Sequence, residues 1–163
     1  MKKITHIYTK DEIFKMIKEN KKLTNKTKLT FEMIEQKMKP KPNHPDYYRA
    51  EFELENEYKI LFQATKDDDF PEYTALLMKN KIPICRIDYH DSHRRHCKKE
   101  IFDKREYNEL HIHLYCDDCI NNNFKWDSFV LDLKKDFSKF EGFCELCCKI
   151  TNIESNFSQK RLL

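Results

Sequence analysis

Apolar residues recur at two different periods along this chain, and the change of period divides it. Between Thr9 and Leu23 the residues Ile13, Phe14, Met16 and Ile17 fall on one side of a helix, with lysines on the rest of its surface. The Thr9-x-x-Glu12 pattern ahead of them is a capping box, in which threonine and glutamate satisfy the first unpaired N–H groups of a helix. A second helical pattern, Phe31 to Met38, runs into "KPKPNHP", where Pro40, Pro42 and Pro45 make continued helix improbable and predict a connector. From Tyr47 the period becomes two: Tyr48, Ala50, Phe52 and Leu54 alternate with Arg49, Glu51 and Glu53. After a turn around Asn56 the pattern resumes at Tyr58, Ile60, Phe62 and Ala64, which predicts a hairpin with one buried face.

Further strands are expected at Tyr73 to Met78, Pro83 to His90 and Glu109 to Tyr115, with "KDDDFP" and "KNKIP" as turns. The last two are separated by "DSHRRHCKKEIFDKREYN", longer than a hairpin requires and therefore a candidate for function. Phe129, Val130, Leu133, Phe137 and Phe140 predict a helix from Asp127 to Phe140, with Gly142 as its cap before a cysteine-bearing segment. The expected fold class is α+β: N-terminal helices, a five-stranded, mainly antiparallel sheet, and a C-terminal helical section with a zinc site. At 163 residues one domain is the default. It would comprise a basic helical section over 1–46, the sheet over 47–115, and a Cys-bearing helical section over 116–163.

Composition narrows the chemistry. One glycine, Gly142, leaves no phosphate-cradling loop or nucleophile elbow, since both need backbone that glycine supplies at low cost. Nothing approaches the roughly 20 apolar residues of a membrane span, and Met1 to Lys10 has no apolar core of a signal peptide. A cytoplasmic protein with no membrane partner is expected. The first 46 residues carry twelve lysines against six acids, a net of +6, while the remaining 117 carry 19 basic and 22 acidic side chains, a net of −3. This basic section could touch nucleic acid, although its aromatics are not interleaved in the way a base-stacking platform needs; the alternative is a solvated lysine-rich helix surface.

Seven cysteines in a chain expected to be cytosolic point to metal or buried thiols rather than to disulfides. Cys116-x-x-Cys119 and Cys144-x-x-Cys147 have the spacing of a tetrahedral zinc site, each pair presenting two thiolates from one turn. Cys148 could replace Cys147, both could be core cysteines, or His113, Cys116 and Cys119 could combine with one distal cysteine. A second constellation lies in "ELHIHLY", where Leu110, Ile112 and Leu114 alternate with His111 and His113. In the preceding strand Arg86, Asp88 and His90 share a face. Pairing of the two strands would gather these polar residues, with His93, His96 and Cys97 following from the loop. His93, Cys97, His111 and His113 are thus a second candidate metal set; the alternative is an exposed polar sheet face.

The order "RIDYHDSHRRH", "ELHIHLY", "FCELCCKITNI" resembles a family of small uncharacterised proteins from bacteria and their mobile elements. Arg86, Asp88, His93, His111 and His113 carry that resemblance, and Cys116 and Cys119 depart from it. The histidine pattern also resembles toxins of the TumE type, which implies a ribonuclease. As a class, the small, glycine-poor chain with Cys/His sites resembles phage anti-CRISPR proteins.

Two functions follow as expectations. The first is a non-enzymatic, zinc-binding phage or mobile-element protein that inhibits a host defence effector in the bacterial cytoplasm. Its partner would be an RNA-guided CRISPR nuclease, contacted through Asp91 to Asn108 and the lysine-rich helix. The alternative is a His-based or metal-dependent ribonuclease toxin of a toxin–antitoxin system, in which His111 and His113 transfer protons or bind metal, Asp88 orients an imidazole and Arg86 neutralises phosphate. A zinc-bearing nucleic-acid-binding module is a third possibility, supported by the basic section alone.

Overall fold

The computed structural model describes residues 8–65, 72–90, 110–115, 127–131 and 140–157. They form an α+β fold: helices α1 (Lys10–Lys18), α2 (Phe31–Lys37) and α3 (Phe140–Ile150), and an antiparallel sheet. The strands are β1 (Lys39–Lys41), β2 (His44–Glu53), β3 (Tyr58–Thr65), β4 (Glu72–Lys79), β5 (Ile82–His90), β6 (Leu110–Leu114) and β7 (Asp127–Leu131). Their order in the sheet is their order in the chain. Among the described residues, no helix is long and apolar enough to cross a membrane.

The capping box closes as its residue types require. Glu12 N–H donates to Thr9 Oγ1 (3.1 Å) and Thr9 N–H to Glu12 Oε1 (2.8 Å), so Ile13, Met16 and Ile17 enter the core from α1. The helix stops at Lys18 rather than continuing to Leu23. The chain instead extends, because Lys21 N–H bonds to Asn152 O (2.8 Å) and Leu23 bridges Leu54. Lys21 is buried, and its ammonium donates to Ile17 O (3.0 Å), Glu19 O (2.7 Å) and Thr151 O (2.6 Å). One side chain therefore ties the end of α1 to the end of α3.

All five expected strands are present, and two more extend the sheet. "KPKPNHP" is not a plain connector but supplies β1 and the start of β2. Its prolines are tolerated because Pro40 lies in the edge strand β1, Pro42 in the turn after it, and Pro45 in β2 ahead of the first residue paired with β3, Tyr47. Residues 127–131, expected to begin a helix, form β7 against β6. Five residues containing Phe129 and Val130 fit either period, and the unpaired side of β6 decided between them. Gly142 is not a cap after a helix but lies in the first turn of α3.

With one glycine in the chain, left-handed backbone positions fall mainly to asparagine: Asn43, Asn56, Asn80 and Asn152 have φ of 67°, 63°, 55° and 58°. In the β4–β5 hairpin both central residues, Asn80 and Lys81 (φ 68°), are left-handed, the signature of a type I′ turn. Lysine carries the Cβ penalty there, so Lys81→Gly is expected to raise stability by about 1 kcal/mol, read as a higher urea midpoint at unchanged m-value.

One face of the sheet supplies most of the core. Phe52, Ile60, Phe62, Tyr73, Ala75, Leu77, Cys85, Ile87, Ile112 and Leu114 pack with Ile13, Ile34, Phe143, Cys144, Cys147 and Cys148 from the helices. Tyr73 holds the aromatic centre, 5.4 Å from Phe143 and 5.7 Å from Tyr89 between ring centroids.

Candidate functional site

The alternation that sends Cys85, Ile87 and Tyr89 into the core gives Arg86 and Asp88 to the opposite face. The same rule applied to Ile112 and Leu114 gives His113 and, by position, His111 to that face. β5 and β6 pair with Arg86 opposite His113 and Asp88 opposite His111, so the two polar faces coincide. Asp88 is the hub. Its Oδ2 accepts from Arg86 Nε (2.9 Å) and His113 Nε2 (3.3 Å), and its Oδ1 accepts from Thr74 Oγ1 (3.1 Å). Tyr115, next but one after His113, adds a hydroxyl hydrogen-bonded to Arg86.

Asp88 is 6% exposed. Burial is the largest single influence on it and favours the neutral acid, but the His113 hydrogen bond and the Arg86 charge together outweigh burial and hold its pKa below the usual carboxylate value. Arg86 is opposed by burial but stabilised by Asp88 and Tyr115, which move it above the ordinary guanidinium value. The result is a fixed carboxylate that orients an imidazole through Nε2–H and a guanidinium through Nε–H. Arg86 remains 37% exposed in its side chain, against 14% for His113, so the cation is the member most open to an anionic ligand.

Thr74 and Tyr115 were not singled out from sequence, yet both follow from alternation. Thr74 lies between core residues Tyr73 and Ala75, and Tyr115 continues the His111, His113 series. His90 pairs with Glu72 at the strand end, one step beyond the cluster.

The thiols occupy a different place. Cys144, Cys147 and Cys148 lie on the buried side of α3, with Cys85 of β5 in the same core. Burial is the main cause that pushes Cys85 and Cys148 up to about 12, and Cys144 and Cys147 well above the usual thiol range. Cys144 and Cys147 stand three residues apart on one helical face, a spacing that fits half of a thiolate zinc set, but both would have to lose protons that the core retains. Their expected partners Cys116 and Cys119, together with His93 and Cys97 of the second candidate set and the neighbouring His96, lie outside the described residues. Among the described residues, no three His, Cys, Asp or Glu side chains are gathered to hold a metal ion.

No family model, curated protein or solved structure matches the chain.

Proposed function

We propose that this protein is a histidine-based ribonuclease of the toxin kind, with Arg86, Asp88, His111 and His113 as its working residues. The observation that supports this reading is the buried Asp88 carboxylate holding Arg86 at 2.9 Å and His113 at 3.3 Å on one sheet face. RNA carries its own nucleophile, the 2′-hydroxyl. His111 removes that proton as O2′ bonds to phosphorus; the P–O5′ bond breaks and water protonates the departing O5′, leaving a 2′,3′-cyclic phosphate, while His113, with Nε2 on Asp88 and Nδ1 buried, braces the cluster. Arg86 stabilises the charge that develops on the phosphoryl oxygens, and Asp88 fixes the tautomer and direction of His113. The inhibitor reading draws on Cys116, Cys119 and the Asp91 to Asn108 segment, which lie outside the described residues.

Purified protein is expected to cleave single-stranded RNA with chelator present. Arg86→Ala, His111→Ala and His113→Ala should each slow cleavage about 100-fold or more, with circular dichroism unchanged. Asp88→Asn, which keeps the shape but loses the charge, should shift the pH profile of the remaining activity. Wild-type protein that cleaves no RNA at any metal loading, or histidine variants that cleave at full rate, would overturn the reading.

A further inference from the structure

A polar row crosses the sheet at the level of Asp88. Successive register pairs place Lys39 opposite Arg49, Arg49 opposite Gln63, Gln63 opposite Thr74, Thr74 opposite Asp88, and Asp88 opposite His111. Directly paired residues of antiparallel strands share a face, so the row lies on the side that carries Arg86 and His113. Arg49, Gln63 and Thr74 are partly exposed, and Lys39 is exposed. At the far end, Lys39 and Arg49 reach the β1–β2 edge and meet a groove of about 1030 Å³ that turns toward the helical side, where Lys37, Ala50, Phe52 and exposed Glu53 also line it. Glu51, which also lines it, is tied to Lys59 at 3.6 Å. Among the described residues, neither Lys39 nor Arg49 is held in an ion pair. Two residues before Arg49, on the same face, stands half-buried Tyr47.

The geometry points to a binding track for single-stranded RNA, in which Lys39, Arg49 and Tyr47 receive the strand at the β1–β2 edge and lead it across the sheet to Arg86. This inference rests on the ribonuclease reading and assigns that site its substrate path. The chemistry selects a single strand: cations neutralise phosphates, and an aromatic ring beside them offers a stacking face to any base. The scale fits as well. Arg49 and Arg86 stand three strand intervals apart, about 14 Å across the sheet, which one short single strand can bridge. Sequence alone leaves Lys39 among prolines, with Phe31 and Tyr47 as its nearest Phe, Tyr or Trp, each 8 residues away. The β1–β2 hairpin brings Tyr47 to it.

The track is tested with full-length protein and a labelled single-stranded oligoribonucleotide whose 2′-hydroxyls are methylated, so that it binds without being cut. Lys39→Gln together with Arg49→Gln should weaken binding about tenfold and reduce the salt dependence of log K by about two phosphate contacts. Tyr47→Leu, which keeps apolar bulk on the strand, should weaken binding without changing that salt slope. On cleavable RNA the same variants should lose activity mainly through KM. Unchanged affinity and salt slope in folded variants, while wild type binds and cleaves, would overturn the track and leave the ribonuclease reading standing. Equal or tighter binding of duplex RNA would also overturn it. Wild type that neither binds the probe nor cleaves RNA would overturn both.

Discussion

Replacement of Lys21 by methionine is expected to lower the free energy of unfolding by about 3 kcal/mol, measured as a shift of the urea midpoint at constant m-value. Methionine keeps most of the apolar stem but cannot donate. Ile17 O, Glu19 O and Thr151 O then lose a shared ammonium inside the core. Buried acceptors left without a donor cost roughly 1–3 kcal/mol each, and partial relaxation offsets some of that. The ammonium also lies 4.9 Å from the centre of the Tyr58 ring, a contact that methionine retains only in part. A loss below 1 kcal/mol would mean that packing and the hydrogen bonds of Lys21 and Asn152 hold the two helix ends without the ammonium.

Alkaline pH is the second large effect. The four buried thiols have folded pKa values raised above their unfolded value near 9, so the stability they contribute is complete below pH 9 and is lost as pH rises through the folded values. Each thiol that ionises only in the unfolded chain contributes a slope of about 1.4 kcal/mol per pH unit. Tyr58 acts in the same direction above pH 10, since burial first, and then its hydrogen bond to Glu19, raise it. Lys21 opposes them. Burial lowers its pKa from 10.5 to about 8, so between these values the unfolded chain binds more protons and stability rises with pH. Four thiols outweigh one lysine, and cooperative unfolding is expected between about pH 10 and 11, followed by circular dichroism. Serine at Cys85 and Cys148 should flatten the alkaline limb, although each substitution also costs stability at neutral pH. A chain equally stable at pH 8 and 11 would show that these thiols are not sealed in the core.

The sheet was largely legible because alternation is a local property. Tyr48 to Leu54, Tyr58 to Ala64 and Leu110 to Leu114 each announce a buried face without reference to any partner. The pairing of Arg86 with His113 could be anticipated for the same reason, once β5 and β6 were taken as neighbours. Less legible were features decided at a distance. β7 forms because β6 offers it an edge, and α1 stops early because Lys21 is drawn to carbonyls that include Thr151, 130 residues away. Thr74 has no chemistry of its own to flag it, and becomes part of the site only through Asp88 on the next strand. The cysteines show a limit of spacing as a signal: Cys144-x-x-Cys147 places two thiols on one helical face whether the purpose is metal or core.

The strict chain-order sheet also bears on how the molecule assembles. Each strand contacts the one made just before it, so β1 to β5 can form hairpin by hairpin with little loop-closure entropy, while adding β6 and β7 closes longer segments. Closure is another matter. Ile153 pairs in parallel with Lys21, and Ser155 with Leu29, joining segments more than 120 residues apart. Folding should therefore show a fast phase for the growing sheet and a slower one for this clasp. Mutations at Ile153 would act chiefly on the slower phase, leaving a sheet whose helical side has yet to be sealed.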